Sequence, residues 1–176
     1  MLIQAHESAL LVVDPQEKLL PAIHDGQAVL AEMVRMASIA GLLGVPVIGT
    51  EQMPDKLGPN HPDIRRLCDK TLSKRHFDAC AEGLPAAIPA SVRQIVVAGC
   101  EAHICVLQTA LSLLQRGYRV LPLLGACGSR RALDRDAAFE RLRQAGAVPV
   151  TLEMVAYEWL RESGHPQFRT VLKLIK

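Results

Sequence analysis

Gln94-Ile95-Val96-Val97-Ala98-Gly99-Cys100-Glu101-Ala102-His103-Ile104-Cys105 is the stretch that decides the fold. Its first half is apolar without polar alternation, the pattern of a strand covered on both faces. Gly99 then opens a turn. Beyond it Val106, Leu107, Ala110, Leu113 and Leu114 fall on one helical face, with Gly117 placed as a C-terminal cap. The same grammar repeats outward in both directions. Ala9–Val13 ends at Asp14, and Pro46–Thr50, Arg119–Leu124 and Ala147–Thr151 are further short apolar runs. Between them, Val29, Leu30, Met33, Val34, Ala37 and Leu42 share a helical face, as do Ala137, Leu142 and Ala145 before Gly146. Strand–helix–strand alternation predicts a parallel sheet with right-handed crossovers. Met53–Ala90 carries Pro54, Pro59, Pro62, Pro85 and Pro89, so loops are expected there, with one weakly signalled strand near Lys70–Ser73.

The chain of 176 residues reads as one domain, 1–176, long enough to bury about two-thirds of its unfolded surface. Hydrophobic residues make up 49% and charged residues 22%, as in folded globular chains. Aromatics are only 3%, which argues against a base-stacking platform. The net charge of +2, with signs interleaved, gives no case for nucleic acid or a membrane surface as partner. No apolar run reaches the roughly 18 residues that suggest a membrane span. Five cysteines cannot all pair within one chain, and no basic-then-apolar leader precedes them. The expectation is a reduced, cytoplasmic protein in which a special cysteine is reactive rather than disulfide-bonded.

Parallel sheets place ligands at the carboxyl ends of their strands. Asp14 stands there after the first strand, Thr50, Glu51 and Gln52 after the second, and Lys74 after the weak one. Cys100 and Glu101 follow the fourth segment, with Cys105 at a helix start. A cysteine attacks as its thiolate, and a helix N-terminus favours that anion. Lys74 adds positive charge in this reading, and Asp14 accepts the thiol proton. The turn between Gly99 and Cys105 exposes backbone N–H groups for an oxyanion. These parts compose an acyl-transfer site. Each also has a plain structural alternative. Cys105 fits a small buried hydrophobe, Asp14-Pro15 a turn, and Lys74 a solvated surface lysine.

The residues carry a resemblance. Leu11-Val12-Val13-Asp14-Pro15-Gln16, Ser73-Lys74-Arg75-His76-Phe77-Asp78-Ala79 and Ala98-Gly99-Cys100-Glu101-Ala102-His103-Ile104-Cys105-Val106 occur in that order. Thr109-Ala110 and Gly125–Arg130 follow in step. Together they resemble the isochorismatase-like cysteine hydrolase superfamily over nearly the whole chain. Thr50–Pro59 and His165–Lys176 are similar to its isochorismatase domain-containing subgroup.

The resemblance implies a three-layer α/β/α, Rossmann-like fold with a six-stranded parallel sheet. It implies an Asp–Lys–Cys triad on Asp14, Lys74 and Cys105, a cis peptide at Cys100-Glu101, and an oxyanion hole from the amides of Glu101 and Cys105. It implies hydrolysis of a C–N bond in a small amide-like metabolite through a thioester-type adduct. A homo-oligomer, dimer or tetramer, is also implied. Two alternatives stand beside this: a non-enzymatic scaffold that keeps the fold, and isochorismatase proper, for which Arg130 would have to bind a carboxylate.

Candidate pocket residues are Gln16, Gln52, Phe77, Cys100 and Glu101. Cys127 falls on the same sheet edge, whereas Cys68 and Cys80 read as spectators. Metal-dependent members carry Asp-x-His after the second strand. Here that stretch is Glu51-Gln52-Met53-Pro54-Asp55-Lys56, so neither a metal nor another cofactor is expected, and His61 and His76 read as loop histidines. The scarcity of rings predicts a pocket in which Phe77 is the main aromatic, suited to a small polar or aliphatic substrate.

Overall fold

The structure, a computed structural model, describes residues 1–176. Five strands form one sheet: β1 (Ser8–Val13), β2 (Val47–Gln52), β3 (Lys70–Lys74), β4 (Gln94–Cys100) and β5 (Arg119–Gly128). Their order is β3-β2-β1-β4-β5, and every pairing is parallel. The main helices are α1 (Gly26–Leu42), then α5 (Leu107–Gln115), α6 (Ala132–Gln144), α7 (Leu152–Leu160) and α8 (Phe168–Ile175). Three single-turn helices occupy the proline-rich middle: α2 (Pro54–Leu57), α3 (Pro62–Arg65) and α4 (Leu84–Ala87).

Alternate residues of each strand feed two cores. Leu10, Val12, Val96 and Ala98 pack with Met33, Met36, Val155, Trp159 and Val171 on the α1, α7 and α8 side. Ala9, Leu11, Val13, Ile95 and Val97 pack with Ala110, Leu113, Phe139 and Leu142 on the α5 and α6 side. The strands read as continuously apolar because both faces are covered. This is the expected three-layer α/β/α architecture. The C-terminal α8 docks on the chain's own α1 and α7, with Val171 fully buried.

One expectation is corrected: the sheet has five strands, not six. Ala147–Thr151 lies beside β5, and Val148 and Val150 donate to the carbonyls of Val120 and Pro122. Only Leu123 and Val150 form a bridge, so the segment is an edge ribbon rather than a strand. Pro149 removes an N–H from it, and proline is tolerated in sheets mainly at such edges.

The topology fixes where a site can form. The chain winds from β1 outward to β3, then returns to the other side of β1 as β4. The carboxyl ends of β1 and β4 therefore flank the point where strand order reverses, the position at which open parallel sheets bind ligands. Gly99 makes the close approach possible. It has φ +137°, and a Cβ there would stand 2.2 Å from the Val13 carbonyl oxygen.

Candidate active site

Asp14 leaves β1 with φ +49°, a backbone region that non-glycine residues seldom adopt. The carboxylate is held from both sides. Thr50 Oγ1 donates to Oδ1 at 2.7 Å, and Lys74 Nζ donates to Oδ2 at 2.7 Å. Neither partner of the ion pair is solvated, the side chains being 1% and 0% exposed for Lys74 and Asp14. Lys74 completes its shell with Gln52 Oε1 at 2.7 Å and the His76 carbonyl at 3.3 Å. An ammonium has three protons to place, and all three have acceptors. The far end of Gln52 donates from Nε2 to the Arg75 carbonyl at 2.6 Å.

Cys105 approaches from β4. The Cys100–Glu101 peptide is cis. Ala102–Val106 then forms a π-helical turn before α5 begins, in which Val106 N–H donates back to the Glu101 carbonyl. This wide turn carries Cys105 Sγ to 4.0 Å from Gln52 Oε1. π-Turns of this kind recur at functional sites. The Glu101 N–H donates to no backbone or side-chain acceptor.

The electrostatics correct one expectation. Lys74 does not leave Cys105 as a free thiolate. Burial pushes the thiol up to about 12, the Asp14 carboxylate adds to the rise, and Lys74 opposes it only in part. The lysine charge is already matched by Asp14. Burial also raises Cys68 and Cys80 to about 11, Cys127 to about 12, and Cys100 further still. Acidity therefore does not distinguish Cys105 from the other four thiols. Position does.

Asp14, Gln52, Glu101 and Cys105 line one pocket of ≈ 100 Å³, walled by Leu19, Leu57, Phe77 and Ile104. Phe77 is its single aromatic. Lys74 lies behind Asp14 and faces a wider, more polar groove with Met53, Arg75 and Glu82. Two candidate pocket residues stand elsewhere. Gln16 is fully buried and acts as a clasp: its Nε2 donates to the carbonyls of Gln52 and Gly58, and its Oε1 accepts from Gln52 N–H. Cys100 points into the core beneath α1. Cys127 is sealed in the opposite core, donating to the Val97 carbonyl. Cys80 is buried against Thr109.

Three wall residues, Leu19, Leu57 and Ile104, and the Thr50 hydroxyl carried no sequence signal of a site role beyond being apolar in loops or polar at a strand end. His61 caps α3 by accepting from Asp63 N–H, and His76 sits on Glu82. Arg130 Nε pairs with Glu101 Oε2 at 2.9 Å, so the cation considered for a substrate carboxylate already meets a carboxylate of the protein. No helix is long and apolar enough to cross a membrane.

Comparison with known proteins agrees with this picture. Residues 8–154 match the isochorismatase domain. Isochorismatase domain-containing protein 2A of Mus musculus is 36% identical over 174 residues, covering 96% of this chain and 82% of that protein. The MAR1 ribonuclease structure from Caenorhabditis elegans superposes with TM-score 0.94 at 34% identity, covering 99% of this chain and 92% of that one. YcaC from Pseudomonas aeruginosa, solved with hexane-2,5-diol and covalent acrylamide, superposes with TM-score 0.91 at 26% identity, covering 98% and 91%.

Proposed function

The chain belongs to the isochorismatase domain family, and from that premise we propose that it is a cysteine hydrolase cleaving a C–N bond of a small amide-like molecule. The observation that carries this is a buried Asp14–Lys74 ion pair set beside a thiol that opens on the same pocket.

In the proposed reaction Cys105 Sγ bonds to the substrate carbonyl carbon while its proton passes to Asp14. Because the resting thiol is held protonated, transfer and attack occur together rather than from a standing thiolate. The carbonyl oxygen takes up the electron pair and lies against the Glu101 and Cys105 amides. The C–N bond then breaks, the amine leaves with the proton from Asp14, and a thioester remains. Water, deprotonated by Asp14, attacks that thioester. The C–S bond breaks, releasing a carboxylic acid, and the sulfur regains its proton. Lys74 keeps Asp14 in place throughout.

The covalent acrylamide on the P. aeruginosa relative is consistent with a small amide meeting a nucleophile in this fold. The C. elegans relative is described as a ribonuclease. In this chain the pocket is far below the ~300–1,000 Å³ of ordinary ligand sites, and its walls are mainly apolar, which favours a small molecule over a polyanion. A panel of small amides, ureas and a labelled oligoribonucleotide tests the reading. Turnover of an amide that Cys105→Ala abolishes is expected, and full turnover in Cys105→Ala would overturn it.

Self-association as a dimer or tetramer is also proposed. Its support is the set of exposed apolar side chains Leu124, Leu133, Val148, Met154 and Tyr157. A monomer by light scattering would contradict it.

A further inference from the structure

We propose that Glu101 is the specificity-determining residue of this pocket, and that its free carboxylate oxygen accepts a hydrogen bond from an N–H group of a small, uncharged or cationic amide- or urea-like substrate. The inference rests on the hydrolase reading above and goes further in stating which substrates fit.

The polar side chains of the pocket differ in how many of their oxygens meet a protein donor. Both oxygens of Asp14 are engaged, by Thr50 and Lys74. Both ends of the Gln52 amide are engaged, by Lys74 and the Arg75 carbonyl. Glu101 differs. Its Oε2 accepts from Arg130 N–H at 3.1 Å and from Arg130 Nε at 2.9 Å, whereas its Oε1 accepts from no protein group. The side chain is 8% exposed, lines the pocket, and its Oε1 is not sealed off inside the protein. Arg130 lies outside, 59% exposed, and fixes the carboxylate from the solvent side. The remaining walls are largely apolar.

Among the carboxylate and amide oxygens that line the pocket, then, Glu101 Oε1 is the one that meets no protein donor. A charged acceptor in a partly desolvated site selects donors strongly, since a hydrogen bond to an ionised group exceeds a neutral one. A carboxylate or phosphodiester brings no N–H to this oxygen, and the Arg130 charge that Glu101 already meets stands on the solvent side. The same residue offers its unpartnered backbone N–H. Glu101 thus presents a donor for a carbonyl oxygen and an acceptor for an N–H, the two features of an amide or urea.

The experiment uses three thiol-directed probes of similar shape: acrylamide, acrylate and methyl acrylate. Alkylation of Cys105 is followed by peptide mass spectrometry at pH 7.5. Each rate is divided by the rate of the same probe with glutathione, which removes intrinsic reactivity. The wild-type chain should favour acrylamide over acrylate by about tenfold or more, with methyl acrylate between, as one charge-assisted hydrogen bond allows. Glu101→Gln lets Arg130 keep its acceptor but turns a donor toward the pocket, and should cut that preference about tenfold. Glu101→Leu should bring acrylamide down to methyl acrylate. No preference in the wild type, or the same preference in both variants, overturns the inference.

Failure of the hydrolase reading looks different: Cys105 is then no more reactive than the other thiols toward every probe. In that event ligand-observed NMR on Cys105→Ala decides. Propionamide binding that exceeds propionate binding and is lost in the Glu101 variants upholds the inference. Equal binding of the two, or none of either, overturns it.

Discussion

The two halves of the pocket are built differently. On the β1–β2–β3 side, Asp14, Thr50, Gln52 and Lys74 are buried, and their polar groups are matched to one another. On the β4 side, Glu101 keeps one carboxylate oxygen and its backbone N–H open, and Cys105 makes one long contact, 4.0 Å to Gln52 Oε1, with Asp14 and Lys74 near enough to act on its thiol. The saturated half holds a charge pair in a fixed place. The open half is left free to meet a ligand. Stability should therefore reside in the first half and reactivity in the second, with Asp14 serving both.

The largest expected contrast comes from single changes at the ion pair. Asp14→Ala leaves the Lys74 ammonium buried and unpaired, and should lower unfolding free energy by about 3–5 kcal/mol in urea titrations. Replacing both partners, as Asp14→Leu with Lys74→Met, should recover much of that stability while leaving the chain inactive. Cys105→Ala should also be inactive yet lose only about 1 kcal/mol or less, because a lone buried thiol behaves as a small hydrophobe. Equal stability losses at Asp14 and Cys105 would break the comparison.

Gly99→Ala comes next. It drives a methyl group against the Val13 backbone, where the two halves meet, and should cost about 2–4 kcal/mol while shifting Cys105 relative to Asp14. A Gly99→Ala chain with unchanged urea midpoint would show that the strands can separate freely. Thr50→Val removes one donor from the Asp14 carboxylate, and about 1.5–3 kcal/mol of destabilisation is expected in the same titration.

The smallest effect lies in the loop that follows Lys74. The His76 N–H and ring, with Arg75 N–H, hold Glu82 down to about 2. A carboxyl lowered on folding adds stability above its ordinary value of 4.5, and loses it as pH falls toward 2. The urea midpoint of Glu82→Gln should therefore lie slightly below wild type at pH 7, and the gap should close as the solution is acidified. A gap that stays constant with pH would contradict this origin.

The sequence made the fold and the main axis of the site legible for a physical reason. Ala9–Val13 and Gln94–Ala98 are apolar on both faces, as a covered parallel sheet requires, and the carboxyl ends of such strands locate Asp14 and Cys105, whereas Lys74 follows the weakly signalled and mostly exposed Lys70–Ser73 segment. Hydrogen-bond direction was not legible. Gln16 and Gln52 are the same residue type at similar edge positions, yet one is a clasp in the wall and the other faces the pocket. That distinction depends on the path of the Met53–Asn60 loop. Nor does composition reveal that Lys74 is neutralised by Asp14, leaving burial to dominate the Cys105 thiol. Leu19 and Leu57 sit in loops whose apolar residues carry no periodic signal. The missing sixth strand follows from Pro149, which an apolar run conceals.

The central claim is that Cys105 carries a covalent acyl intermediate whose formation depends on Asp14. Rapid acid quench of the chain with a turned-over amide, followed by peptide mass spectrometry, tests it most directly. The account predicts an acyl mass increment on the Cys105 peptide in the wild type and none in Asp14→Asn. Steady turnover with no increment at Cys105, or turnover that survives Cys105→Ala, would contradict it.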